Sequence, residues 1–140
     1  MTASTIPTYD NPKYGLTRTL KGVSYDDGVA RAKEALKGQG FGVLTEIDVK
    51  ATLDKKIGAK TRDYIILGAC NPKLAHQALQ AEPGIGLLLP CNVVVSSDDD
   101  GNAVVSAVDP VAMFGVINRD DVEPIAKEVR QLLEKAIESL

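Results

Sequence analysis

From Asp120 to Leu140, apolar side chains recur at helical spacing along one stripe: Val122, Ile125, Ala126, Val129, Leu132, Leu133, Ala136, Ile137 and Leu140. The opposite face carries Lys127, Glu128, Arg130, Glu134, Lys135 and Glu138. A helix of this length with one apolar stripe must lay that stripe against a second layer. Strand-length apolar segments in hairpin order ahead of it offer a sheet as that layer. This terminal helix therefore constrains the fold more than any other feature.

Ahead of it, a first strand is predicted over Tyr14 to Leu20, with Leu16, Arg18 and Leu20 on one face. Ser24 and Asp27 form a capping-box-like pair that opens a helix, and Tyr25, Val29, Ala32 and Leu36 mark its apolar stripe. Gly38 to Gly40 stops it. Phe41 to Val49 reads as the second strand, and Thr52 to Gly58 as one or two helical turns. Tyr64 to Ala69 is continuously apolar, the pattern of a strand buried on both faces. Asn71 as N-cap and Pro72 as first helical residue predict a helix to about Glu82, with Leu74, Ala75, Ala78 and Leu79 inward. Ile85 to Ser96 and Ala103 to Val108 read as a hairpin turning at Asp100-Gly101. Val111 to Ile117 is a short apolar loop or helix. Strands in hairpin order with a packed terminal helix predict an α+β fold, an antiparallel sheet covered on one face.

A chain of 140 residues fits one domain, predicted over residues 13–140, preceded by a loose polar arm over 1–12. Aromatic residues make up 4% and tryptophan is absent, so the core has to be aliphatic. The net charge of −3 offers no attraction to nucleic acid or to an anionic membrane. The longest apolar run, Ile85 to Val95, is interrupted by Gly86, Pro90 and Asn92 and is too short to span a bilayer. Met1 to Pro12 lacks the basic and apolar regions of a signal peptide. A cytoplasmic location is expected, where thiols stay reduced.

The only two cysteines occupy similar junctions, each ending an apolar run and each followed by asparagine: Cys70-Asn71-Pro72 and Pro90-Cys91-Asn92. At the start of the helix that Asn71 caps, backbone N–H groups would stabilise a thiolate on Cys70. Against that stands the ordinary behaviour of free cysteine, which packs as a small buried hydrophobe. Asn71 has a sufficient structural role as a cap, whereas Asn92, inside a strand, has none. His76 is the only histidine and points away from the apolar stripe of its helix. With Cys70 and Cys91 it lacks the spacing of a zinc site. The sequence requires no cofactor; a soft metal held by Cys70 or Cys91, or a haem with a thiolate or Met113 as axial ligand, stays open.

Neither Gly38-Gln39-Gly40-Phe41-Gly42 nor Gly84-Ile85-Gly86 sits between a strand and a following helix as a dinucleotide fingerprint requires. Asp98 to Asn102 departs from a calcium loop in glycine position and in flanking elements, and reads as a turn. Charges concentrate from Glu46 to Asp63, where Glu46 and Asp48 share one strand face and a following lysine could pair with either; acid–base work would need one of these held in a cleft. The stronger expectation there is a solvated face laced with ion pairs. No nucleophile motif accompanies His76, and no catalytic set is readable.

Several of these segments, taken in order, resemble one family: Glu46-Ile47-Asp48-Val49, Leu53 with Lys56-Ile57-Gly58, Tyr64 to Gly68, Cys70-Asn71-Pro72 with Ala75, Pro90 to Val95, and Asp109-Pro110. It is the domain-of-unknown-function 302 (DUF 302) family, and the resemblance spans about Tyr14 to Leu140. It implies a β-α-β(4)-α fold with a curved antiparallel sheet of the TATA-binding-protein-like class, often as a homodimer, and brings no activity with it. The paired Cys-Asn junctions resemble a branch of that family carrying two cysteines. The expected function is therefore non-catalytic binding of a small ligand or partner protein on the sheet of a homodimer. Thiol redox or metal and haem binding at Cys70 and Cys91 is the alternative. The residues that would carry either are Cys70, Asn71, Cys91, Asn92, Glu46 and Lys56.

Overall fold

The computed structural model describes residues 6–8 and 10–140. Of the expected loose arm, residues 1–5 and Tyr9 lie outside the described residues. Five strands, β1 (Gly15–Leu20), β2 (Gly42–Asp48), β3 (Tyr64–Cys70), β4 (Cys91–Ser97) and β5 (Ala103–Val108), form one sheet in the order β1-β5-β4-β3-β2. Every neighbouring pair is antiparallel. The helices are α1 (Tyr25–Gly38), α2 (Val49–Ile57), α3 (Pro72–Ala81), α4 (Pro110–Phe114) and α5 (Glu123–Glu138). The α+β expectation therefore holds.

Register assigns each strand residue to a face. Leu67, Val93, Ala107 and Leu16 form one transverse row, and Ile65, Val95, Val105 and Arg18 the next. These rows meet Ala32 and Leu36 of α1 and Val129, Leu133 and Ala136 of α5 in one core. Leu67, Val95, Val105 and Leu133 are fully buried there, so the stripe of α5 is covered as its spacing requires. Ser24 accepts from the backbone N–H of Asp27, as its capping pattern predicts. Gly28 lets α1 approach the sheet: a Cβ there would collide with that of Ala103. The other face presents a row of Ile47, Ile66, Val94, Ser106 and Thr17, outside the core that α1 and α5 build.

Several local expectations are corrected. The strand predicted from Ile85 starts only at Cys91; Pro83–Leu88 is a 3₁₀ helix, followed by a cis Leu89-Pro90 peptide. Ile85 is buried beside Phe114 and Val122 and Leu88 packs there too, while Leu87 is 92% exposed. That is a spacing of three, which a strand cannot present. Tyr64, Ile65 and Ile66 are only half-buried, because full burial of β3 is confined to Leu67, Gly68 and Ala69. Leu79 is exposed rather than inward. The helix expected at Thr52 begins at Val49, since Asp48 caps it by accepting from Ala51 N–H at 2.9 Å. The undecided segment after Asp109 is helical, capped by the Asp109 carboxylate at Val111 N–H.

Candidate functional site

At the end of β3, the Asn71 side chain accepts from Leu74 N–H at 3.3 Å and starts α3. Cys91 lies across from Ala69, the neighbour of Cys70. Both cysteines line one small apolar cavity of about 30 Å³ with Phe41, Leu74 and Ala78. The structure thus brings Cys70, Asn71 and Cys91 together, both cysteines being free. Burial pushes the Cys91 thiol up to about 11, with Cys70 adding to the shift. Burial also raises Cys70. The start of α3 therefore does not outweigh desolvation, and both groups are neutral thiols near pH 7.

That cavity has room for about one water molecule and none for a porphyrin. Among the described residues, no three His, Cys, Asp or Glu side chains gather as a metal site. His76 is exposed on α3, and Met113 packs against the cluster of Ile85 and Phe114.

Glu46 and Lys56 lie elsewhere. Glu46 sits opposite Leu67 on edge strand β2, and its carboxylate pairs with Lys33 of α1 at 2.9 Å. Lys56 is exposed on α2, a helix with no buried residue. Around them Lys50 pairs with Asp63, Lys60 with Asp54 and Arg62 with Asp99. The charged segment is a face of ion pairs.

Asn92 parts company with Cys91. The pleat that buries Cys91 turns Asn92 onto the open face, opposite Gly68. There it lines a second pocket, of about 450 Å³, between the sheet and the segment leading into β1. Tyr64, Val94, Ser106 and Val108 belong to the sheet side; Ile6, Pro7, Thr8 and Pro12 belong to the leading segment, with Tyr14 and Gly15 where it joins β1. Ile6 is held at both backbone groups: its N–H donates to Thr61 Oγ1 at 3.2 Å, and its carbonyl accepts from Arg62 Nε at 2.8 Å. Arg62 also donates to the Ser97 carbonyl and to Asp99. Burial raises the Tyr64 phenol, and Tyr14 adds to that shift. Sequence reasoning missed this pocket. Its signal was the polar Asn92 and Ser106 at open-face positions of otherwise apolar strands.

A family model described as "Domain of unknown function DUF302" matches residues 16–140. Among solved structures, the chain is similar to the crystal structure of an uncharacterised conserved DUF302 protein from Bacillus stearothermophilus. The TM-score is 0.84 at 26% identity, covering 91% of this chain and 98% of the other. Comparison with curated proteins found no significant match.

Proposed function

The chain belongs to the DUF302 family, and from that premise we propose a protein that binds a small ligand on the open face of its sheet, without catalysis, as a homodimer. One observation carries the reading: the pocket of about 450 Å³ on that face. Its volume falls within the roughly 300–1,000 Å³ of small-molecule sites, and it combines apolar walls with a few polar groups. The finer assignment to a TATA-binding-protein-like class belongs to the same proposal, supported by an antiparallel sheet with its main helices on one face. Two free cysteines support a cytoplasmic setting.

The homodimer is supported by edge strand β2. An unpaired strand edge with apolar side chains is a template for a second chain. Leu44 is 67% and Ile47 49% exposed on that strand. Two β2 strands meeting about a two-fold axis would continue the sheet.

Native mass spectrometry of the purified protein, followed by thermal-shift screening of cell metabolites, tests the ligand. The expected result is a Tm rise that disappears in Val94→Trp, which fills the pocket. A complete screen with no pocket-dependent rise sinks the reading. Light scattering tests the dimer: a mass near twice 14.9 kDa is expected, falling to one chain in Ile47→Lys.

A second reading, thiol redox or soft-metal chemistry at Cys70 and Cys91, is supported by their sharing one cavity and opposed by the burial that keeps both protonated. Iodoacetamide labelling across pH, with metal analysis of the purified protein, decides it. A fast labelling phase below pH 7 or bound metal would favour this reading; slow labelling and no metal would remove it.

A further inference from the structure

Resting on the sheet pocket as a ligand site, we propose that its ligand is an uncharged, flat, ring-bearing molecule whose polar edge hydrogen-bonds to Asn92. Three observations carry this.

The first is charge. Among the described residues no Asp, Glu, Lys, Arg or His lines the pocket. An ion entering it would lose water and meet no opposite charge, a cost that a neutral molecule avoids.

The second is shape. Tyr14, Tyr64, Pro7 and Pro12 all border the space, and Val94 and Val108 contribute to its sheet side. At Gly15 the walls converge: a Cβ there would stand 3.0 Å from Ser106 Oγ and 3.1 Å from Pro12 Cγ. A pocket bordered by tyrosine and proline and tight at Gly15 suits a planar ring, which gains aromatic contact on Tyr and apolar contact on Pro.

The third is the polar edge. Asn92 offers an amide donor and an amide acceptor, and its side chain has no hydrogen-bond partner among the described residues. Asparagine is otherwise disfavoured in a strand. At the floor, Thr17 Oγ1 and Ser106 Oγ lie 2.7 Å apart. Either hydroxyl can be the donor, and in both cases Ser106 Oγ keeps a lone pair that can accept from a ligand.

The test uses three probes with one ring system: indole, indole-3-acetate as the anion and tryptamine as the cation. Each is titrated into the ¹⁵N-labelled full chain and followed by NMR. Indole is expected to shift the backbone amides of Val94, Ser106 and Val108 and the Asn92 side-chain amide, saturably. Both charged probes should bind at least about fivefold more weakly, since each would be desolvated without a partner. Asn92→Asp, isosteric and at an exposed position, should make tryptamine the tightest of the three. If either charged probe binds the wild-type pocket as tightly as indole, the ligand class is overturned while the pocket stands as a site. If tryptamine gains nothing in Asn92→Asp, the contact with Asn92 is overturned. If no probe moves these resonances, both the class and the sheet-site reading fall.

Discussion

The Nε of Arg62 donates to the carbonyl oxygen of Ile6 across 2.8 Å, fastening the segment ahead of β1 to the far edge of the pocket. The same guanidinium holds Ser97 and Asp99, and only 11% of its side chain is exposed. Arg62→Met should therefore release that segment without unfolding the sheet. Losing the charge-assisted bond to Ile6, on the order of 1.5 kcal/mol, corresponds to about tenfold more frequent opening. Limited trypsinolysis reads this at Lys13: cleavage after that residue should accelerate about tenfold in Arg62→Met. Unchanged cleavage would show that Ile6 is held by other contacts.

Gly28 and Gly38 sit on the same helix and should respond oppositely to alanine. At Gly28 the new methyl meets Ala103, a contact that neither backbone can relieve without shifting α1. Overpacking of this kind costs about 1–3 kcal/mol. At Gly38 nothing stands within 4 Å, so alanine should stabilise by up to about 1 kcal/mol through helix propensity. Urea denaturation of the two variants measures both signs.

Arg18 points from β1 to the end of α5, where its Nη1 donates to the carbonyls of Ile137, Glu138 and Leu140 at 3.2, 2.9 and 3.0 Å. A cation at a helix C-terminus satisfies carbonyls left without helical partners. Arg18→Met should fray the last turn at a cost of about 1 kcal/mol. Hydrogen exchange at Ala136 to Leu140 should then quicken several-fold, with little change at Val129.

Cys91 predicts an alkaline loss of stability. Its thiol ionises near the ordinary value of 9 when unfolded and at about 11 when folded. Between those values the native state holds the extra proton, so stability falls as pH rises. The contribution is complete below pH 9 and gone above about 11, a change on the order of 2 kcal/mol. Tyr25, raised to about 12 chiefly by burial, acts in the same direction at still higher pH. Urea midpoints from pH 8 to 11 should decline in the wild type and decline less in Cys91→Ala. Parallel slopes would refute this origin.

Much of the fold was legible one residue at a time. Asn71 as a cap, Ser24 with Asp27, the turn at Asp98–Asn102 and the stripe of α5 all depend on neighbours within a few positions, and each formed as read. The exceptions are informative. Ile85 to Leu89 carries a strand-like composition, but burial of Ile85 and Leu88 on the helix side drew it into a 3₁₀ helix.

From the sequence alone came the α+β class, the inward face of the last helix and the conclusion that Asn71 needs no chemistry. Those follow from local periodicity and capping, which are short-range. Only the tertiary structure decided that Cys70 and Cys91 share a cavity, that Glu46 pairs with Lys33, and that Asn92 joins Tyr14, Tyr64 and Ser106 around a pocket. Each of those groupings depends on strand register and on where a distant segment crosses the sheet. A one-residue change of register would exchange the two faces, and no local pattern records that choice by itself.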